Sequence, residues 1–125
     1  MSRNRGRHIS EITVASLFQE FRLKDVVLRN RIAVSPMCQY SAENGFPNDW
    51  HFVHLGSRAV GGAGLVVVEA TAVSAEGRIS PADCGLYLDE HVPEYARITR
   101  FVRDHGAVPG IQLAHAGRKA SANKP

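Results

Sequence analysis

The residues best suited to chemistry stand where a short apolar run ends. Residues 35–40 follow the run at 32–34 and offer a rigid turn, a polarizable thioether and a thiol. None of these is a strong acid or base at neutral pH, so the set suits contact with a flat aromatic ligand better than hydrolysis. As a nucleophile Cys38 would need a neighbouring base, and an inert thiol is an equally good interpretation. The segment reads Ser35, Pro36, Met37, Cys38, Gln39 and Tyr40.

Three further polar residues lie within or just after other apolar runs. Gln112 brings an amide to the end of the run at 108–113, where recognition of a ligand edge and a backbone-satisfied core glutamine both remain open. Glu69 is the only carboxylate inside an apolar run, so acid-base chemistry has no evident partner there and paired-carboxylate hydrolysis is not supported. His115 is a candidate site residue or a loop anchor.

Metal-ligating residue types are present without a metal-binding pattern. His51 and His54 form an HxxH pair that lacks the Glu of the zinc-protease motif and an evident third ligand, so helix-surface or helix-sheet positions explain them. Cys38 and Cys84 match no ligand spacing, and we expect two free thiols. We therefore predict no metal site. A metal-dependent barrel hydrolase using His51, His54 and His115 is the weaker alternative, and it predicts bound metal after purification.

The elements that must position these residues begin with strands. Alternating apolar residues at 21–28, interrupted by Lys24-Asp25, predict a small β-hairpin. Apolar runs at 31–36, 64–70 and 108–113 predict three buried strands, and the first of them stops at a proline that cannot donate to a central ladder.

Two helices separate these strands. Asn48 is a candidate cap for the first, which Gly61-Gly62 ends, and Asp89 is a candidate cap for the second, which ends at Gly106. Tyr95, Ile98 and Val102 share one face of the second helix.

The order βαβαβ, with strands apolar throughout, predicts a parallel sheet covered on both faces. A doubly wound dinucleotide fold would need a GxGxxG turn after the first strand, where this chain has Pro36-Met37-Cys38. We therefore predict an α/β fold made of the first three βα units of a (β/α)8 TIM barrel, preceded by the hairpin. In such a barrel the carboxyl ends of the strands build one active-site mouth.

Composition and charge exclude other classes. The net charge of +3 comes from 15 Lys and Arg against 12 Asp and Glu, and removing Arg3, Arg5 and Arg7 leaves 12 against 12. A neutral body does not offer nucleic acid a basic surface, and we interpret residues 1–16 as a flexible basic tail. No apolar run approaches the roughly 18 residues of a membrane span, and the N-terminus lacks a secretory signal, so we expect a cytoplasmic protein without membrane contact.

Several motifs, taken together and in order, resemble the old yellow enzyme family. The likeness is nearest to its thermophilic-like bacterial branch, in which a Cys occupies the position of Cys38. The motifs are Asn30-Arg31-Ile32, residues 35–40, Val68-Glu69-Ala70, Glu76-Gly77-Arg78-Ile79 and residues 111–119.

The resemblance implies a (β/α)8 barrel that holds FMN, is reduced by NADPH or NADH and passes a hydride from flavin N5 to an α,β-unsaturated carbonyl compound. It implies that residues 35–38 line the flavin ring, with Cys38 as a modulator of its redox potential. Ala70 would contact the ring through its backbone and Gln112 would bond its pyrimidine edge. The Tyr40 hydroxyl would reach the substrate, so the implied catalytic residues are Tyr40 and Cys38. The implied cofactor-binding residues are Ser35, Pro36, Met37, Cys38, Ala70 and Gln112.

The likeness spans residues 17–122, only part of a barrel of about 250 residues. The substrate-binding histidines, the proton-donating tyrosine and the phosphate site of the family lie past Pro125. We therefore expect residues 17–125 to be the N-terminal part of a truncated FMN-binding barrel, inactive alone. The full-length parent would be a homo-oligomeric oxidoreductase acting on small electron-poor alkenes. The alternative is a non-catalytic βαβαβ interaction or assembly module, since exposed strand edges favour association.

Overall fold

The computed structural model describes residues 16–120 and 122. The predicted tail at 1–16 therefore lies outside the described residues, apart from residue 16. One-turn 3₁₀ helices occur at Ala75–Gly77, Asp89–His91 and Gly117–Lys119. The longer elements are β1 (Phe21–Leu23), β2 (Val26–Leu28), β3 (Ala33–Val34), α1 (Asp49–Val60), β4 (Leu65–Ala72), α2 (Val92–Asp104) and β5 (Val108–Ala114).

The strands form two separate sheets. β1 and β2 pair antiparallel around Lys24, whose φ of 52° makes the tight turn, and the predicted hairpin is confirmed. β3, β4 and β5 form a parallel sheet with β4 in the centre, as the βαβαβ order predicts. β3 has two residues, although the apolar run predicted a strand over 31–36. Because Pro36 has no N–H to donate, the ladder ends before it.

Helix α1 begins and ends where the sequence predicts. The Asn48 side chain accepts the backbone N–H of Trp50 at 3.1 Å, and Gly61 follows the last helical residue. Helix α2 begins at Val92, with Pro93 in its first turn, so Asp89 is wrong as its cap. The 3₁₀ turn at Asp89–His91 runs directly into α2 and leaves no extended residue to cap it.

Both helices cover the same face of the sheet, which we call the helix face. Tyr95, Ile98 and Val102 of α2 are buried there, as predicted. Both α-helices of the described part of the chain lie on this face, while Phe21, Leu23 and Leu28 of the hairpin lie beside Ala33 and Leu65 on the opposite face. Coverage of both faces by helices is thus not seen in the described residues, and we call the second face the open face. Within that part, no helix has both the length and the apolar character needed to cross a membrane. The core consists of Leu55, Ala59, Ala63, Val66, Val68, Tyr95, Ile98, Val102 and Ala107.

Arg29 joins the two helices at the amino end of the sheet. Its guanidinium donates to the carbonyl of Ala59 at 2.7 Å, in the last turn of α1, to that of Ala63 at 2.8 Å, in the turn after α1, and to that of His105 at 2.8 Å, directly after α2. A cation near the carboxyl ends of both helices bonds carbonyls there and interacts favourably with the helix dipoles. Arg29 therefore fixes both helices relative to β3.

Asn30 makes a second connection at this end. Its amide donates to the Gly62 carbonyl at 2.7 Å and accepts the Ile32 N–H at 3.1 Å. A Cβ on Gly64 would lie 2.7 Å from the Asn30 backbone oxygen, so only glycine allows this approach. The turn between α1 and β4 is thereby held against the start of β3.

His51 and Glu69 form a buried contact between α1 and β4. Their side chains are 1% and 3% exposed, and His51 Nε2 lies 3.6 Å from Glu69 Oε2. Asn48 holds the Nδ1 side of the His51 ring, since its backbone N–H lies 3.1 Å and its Oδ1 lies 3.0 Å from that nitrogen. No partner for Glu69 is evident in the sequence, whereas in the structure His51 lies against it.

Burial favours the neutral form of both residues. It raises the pKa of the Glu69 carboxyl to about 7 and lowers the pKa of His51 to about 4. Between these values the pair is an uncharged acid beside an uncharged imidazole. Between about pH 4.5 and 6.5 an unfolded chain carries the proton on histidine instead, so in this range folding moves one proton from His51 to Glu69.

Replacing Arg29 with Met should lower the free energy of unfolding by about 2 kcal/mol, because several charge-assisted hydrogen bonds to helix-end carbonyls are lost. Arg29→Lys should have a free energy of unfolding between those of the unsubstituted chain and Arg29→Met, since one ammonium cannot reach all three carbonyls in the same geometry. Urea unfolding gives the comparison. The control is Arg22→Met, which removes an exposed arginine 3.9 Å from Glu20 and should change stability by no more than about 0.5 kcal/mol. Equal effects at both positions would contradict the role of Arg29.

The His51–Glu69 pair predicts opposite pH dependences for two variants. In Glu69→Gln the pair keeps only His51, whose folded pKa lies below its unfolded value, so the contribution of the pair to stability should rise as pH increases from about 4 to 6.5. In His51→Asn the pair keeps only Glu69, whose folded pKa lies above its unfolded value, so that contribution should fall as pH increases from 4.5 to about 7. Each slope should be on the order of 1 kcal/mol per pH unit.

In the unsubstituted chain the two contributions should cancel where their pH ranges overlap, because the folded and unfolded pairs bind the same number of protons. Urea unfolding across this range measures all three proteins. Parallel profiles for the two variants would show that the pair does not exchange its proton on folding.

Candidate functional site

The carboxyl ends of the strands bring part of the predicted site together. Ala70 of β4 and Gln112 of β5 are register partners, and partners in a parallel ladder point to the same face. Residues 31–37 alternate between exposed and half-buried, with Ser35 and Met37 exposed. This alternation puts Ser35 and Met37 on the open face with Ala70 and Gln112.

A bulge in β4 decides which of two neighbouring residues lies on the open face. Val68 pairs with Ile111 and Ala70 pairs with Gln112, so Glu69 is an extra residue in the ladder. Without the bulge, strict alternation from Val67 would turn Glu69 to the open face. With it, Glu69 turns to the helix face and the small side chain of Ala70 takes the open face.

Hydrogen bonds to β4, to α1 and within the segment hold residues 35–40 in place. The backbone N–H of Gln39 donates to Glu69 Oε2 at 3.1 Å, and the Gln39 side chain donates to the Met37 carbonyl at 2.8 Å. The Trp50 indole donates to Gln39 Oε1 at 3.0 Å, which connects the segment to α1. The segment is therefore held by β4 and α1 together.

Cys38 is a half-buried free thiol beside two carboxylates. A carboxylate oxygen of Glu69, one of Asp83 and the Cys38 sulfur all lie within 4.8 Å of one another. Burial, followed by the negative charges of Glu69 and Asp83, raises the pKa of Cys38, while the backbone N–H of Ala70 opposes the shift. The environment keeps Cys38 protonated and does not activate it as a nucleophile.

Tyr40 occupies a backbone conformation that side chains rarely adopt. Its φ of 49° lies in the left-handed region, which costs about 1–2 kcal/mol for a non-glycine residue. Such outliers cluster at ligand sites, where surrounding structure imposes them. The pKa of the Tyr40 hydroxyl is raised, chiefly by repulsion between a phenolate and the ionised Cys38 sulfur, so the phenol remains a hydrogen-bond donor.

Three other residues considered in the sequence lie in different places: Gln112 is on the open face, whereas His54 and His115 are not. Gln112 is exposed, so it is not a core glutamine in the described part of the chain. His115 follows β5, is exposed and accepts the Gly117 N–H on Nδ1 at 3.0 Å, the behaviour of a loop anchor. His54 stacks on Trp50 on the outside of α1, with ring centroids 6.4 Å apart. Neither histidine joins the open-face residues.

A buried group of ligand-type side chains lies behind the open face, and sequence analysis missed it. His51, Glu69 and Cys84 place one ligand atom each within 4.8 Å of one another. Asp83 accepts the Ser80 N–H and is 1% exposed. A carboxylate inside an apolar run indicated a buried polar group at Glu69. Asp83 and Cys84 follow in a loop, and only the fold shows that they lie beside it.

Asn48 offers His51 Nδ1 both a donor and an acceptor, its backbone N–H at 3.1 Å and its Oδ1 at 3.0 Å, so either neutral tautomer has a partner on that side. The open face presents a hydroxyl, a thioether, a primary amide and a small side chain, a set of groups that fits a flat heteroaromatic ring.

Known proteins share both sequence and fold with this chain. Residues 16–125 match the model of the NADH:flavin oxidoreductase / NADH oxidase family. An NADPH dehydrogenase of Listeria monocytogenes serotype 4a is 58% identical over 109 residues, covering 86% of this chain and 32% of the relative. One from a Geobacillus species is 51% identical over 106 residues, covering 83% and 31%.

Solved structures give the same result. Morphinone reductase superposes with a TM-score of 0.78 at 26% identity, covering 85% of this chain and 28% of that chain. An old yellow enzyme homologue from Zymomonas mobilis superposes with a TM-score of 0.74 at 33% identity, covering 80% and 28%. The chain thus spans about a third of the length of the curated relatives it matches.

These matches confirm the resemblance to old yellow enzymes and agree with a parallel α/β part of a TIM barrel. The number of βα units stays a prediction, because the described residues contain no α-helix after β5. From the family match over residues 16–125, the chain belongs to the NADH:flavin oxidoreductase / NADH oxidase family.

Proposed function

We propose that the whole protein is an FMN-dependent oxidoreductase that uses NADPH or NADH to reduce electron-poor alkenes such as α,β-unsaturated carbonyl compounds. This chain would supply one wall of the flavin site. Because it spans 32% of the Listeria relative, we assign the reaction and the homo-oligomeric state to the whole protein. We expect the 125-residue chain alone not to turn over.

The observation that carries this proposal is the shared position of Ser35, Met37, Ala70 and Gln112 on the open face, at the carboxyl ends of parallel strands. Barrel enzymes build their active sites at this end. The face combines the hydroxyl of Ser35 and the amide of Gln112 with the apolar side chains of Met37 and Ala70, and a planar ring with a polar edge suits such a mixture.

Each residue has a distinct proposed role toward the flavin. The Gln112 amide can donate to and accept from the polar edge of the ring. Ala70 is small enough to let the ring approach the β4 backbone, and Met37 offers a polarizable surface for its plane. Ser35 and Pro36 shape the turn beside it. When bound, FMN supplies hydride chemistry that the side chains of the chain cannot perform.

Cys38 and Tyr40 have proposed roles nearer the reacting atoms. The neutral Cys38 thiol would adjust the polarity next to the ring without forming a covalent bond. The Tyr40 phenol, protonated and held at a φ of 49°, would donate a hydrogen bond in the substrate mouth.

Titrating isotope-labelled chain with FMN should shift amide NMR signals at the open face. The affected amides should be those of Met37, Cys38, Ala70 and Gln112. Gln112→Leu should weaken binding by about tenfold, because it removes the hydrogen bonds to the ring edge. The fitted dissociation constant is the measurement.

Gln19→Leu is the matched control, since Gln19 is exposed in the N-terminal region and should leave FMN affinity unchanged. Shifts confined to α1 and α2 would contradict the proposed face. Colourless soluble oligomers that do not respond to FMN would favour the assembly module instead, an outcome that the 59% exposed Leu113 on β5 makes physically reasonable.

Replacing Tyr40 with Phe in the whole protein should slow alkene reduction by about tenfold, the loss expected for one hydrogen bond to the reacting substrate. Flavin reduction by NADPH should change little, because in that step no alkene substrate is present to accept a hydrogen bond from the Tyr40 phenol. Stopped-flow absorbance separates the two half-reactions. Tyr87→Phe is the control, since its hydroxyl contacts the Asn44 carbonyl at 3.3 Å away from the open face. Equal loss in both half-reactions would argue against this role.

A further inference from the structure

We propose that Glu69 is a positioning residue of the flavin site, which holds residues 35–40 in place and controls the charge around the Cys38 thiol. The inference rests on the proposed function for its catalytic meaning. The coupling between Glu69 and Cys38 is a property of the chain itself.

The geometry places Glu69 between the open face and the helix face. The bulge at Glu69 turns its side chain away from the ligand side, while its neighbour Ala70 stays on that side. Its Oε2 accepts the Gln39 N–H at 3.1 Å, one residue beyond Cys38. The carboxylate thereby holds the backbone next to Cys38, whose sulfur lies within 4.8 Å of a Glu69 oxygen.

The support behind Glu69 comes from α1. His51 Nε2 faces Oε2 at 3.6 Å, and the cap at Asn48 fixes the His51 ring. Trp50 on the same helix turn bonds the Gln39 side chain at 3.0 Å. The first turn of α1 thus supports both the carboxylate and the segment that the carboxylate holds.

Glu69 is the carboxyl group near Cys38 whose charge changes around neutral pH. His51 is neutral at physiological pH because burial lowers its pKa to about 4, so it does not compensate a Glu69 anion. Glu69 ionises near pH 7, and its negative charge raises the pKa of the Cys38 thiol. Ionisation of Glu69 therefore opposes ionisation of Cys38. The titratable groups that face this pair are His51 from α1, Asp83 and Cys84 from the loop after β4, Tyr95 from α2 and Tyr40.

The test is the pH dependence of Cys38 alkylation by iodoacetamide in FMN-free chain, quantified by mass spectrometry of the peptide that contains Cys38. The logarithm of the rate should rise with unit slope below pH 7, flatten near pH 7 as Glu69 ionises, and then rise again. In Glu69→Gln the rise should be continuous, and the rate above pH 7 should be on the order of tenfold higher.

Asp83→Asn is the matched control. It removes a neighbouring carboxylate but leaves Glu69, so its profile should move as a whole and keep the inflection near pH 7. The amide signal of Gln39 gives a second readout, because its N–H donates to Glu69. Its chemical shift should titrate near pH 7 in the unsubstituted chain and in Asp83→Asn, and should not titrate in Glu69→Gln.

A profile without an inflection near pH 7 in the unsubstituted chain would overturn the proposal. That measurement needs no variant, so it decides even if Glu69→Gln does not fold. Coincident profiles for the unsubstituted chain and a folded Glu69→Gln would also overturn it. Titration with FMN is separate: an inflection without an FMN response would refute the flavin site alone, and an FMN response without an inflection would refute the role of Glu69 alone.

Discussion

The site depends on the burial of one carboxylate. Glu69 is 3% exposed, and moving an ionised carboxyl group out of water is costly unless it is paired or neutralised. The chain reduces this cost in two ways: Glu69 accepts a backbone N–H from Gln39, and its raised pKa favours the acid form. His51 of α1 lies against the same carboxyl, with Nε2 3.6 Å from Oε2, so contacts of one side chain join β4, α1 and residues 35–40.

The bulge in β4 explains how a carboxylate can lie this close to the proposed flavin site without entering it. A single extra residue exchanges the faces of Glu69 and Ala70. The open face receives a methyl group, which leaves room for a ring, and the helix face receives the acid. A strand without the bulge would present the carboxylate to the ring, and its charge would oppose the electron-rich reduced state that the proposed cofactor must reach.

The sequence predicted elements better than it predicted their polar contacts. Apolar runs and cap residues located α1, β4 and β5, since local patterns determine these elements. The Asp89 cap was wrong because a 3₁₀ turn at Asp89–His91 continues into α2. His91 in this turn is fully buried, a packing constraint that the sequence pattern does not show. The role of Glu69 could not be inferred, because its partners Gln39, His51 and Asp83 lie 30, 18 and 14 positions away and meet it only through the fold. The likeness to a known family supplied the open-face residues.

The two ends of the sheet differ in how fully their polar groups are satisfied. At the amino end, Arg29 and Asn30 bond carbonyls in the last turn of α1 and in the turn after it, and Arg29 also bonds that of His105. At the carboxyl end, His51 Nε2, Glu69 Oε1 and Asp83 Oδ1 are buried without hydrogen-bond partners among the described residues, and Tyr40 holds a strained φ. Such costs persist only where other contacts maintain them. The amino end therefore provides the stability that permits an unsatisfied, chemically tunable carboxyl end, the division expected of a barrel whose function lies at one mouth.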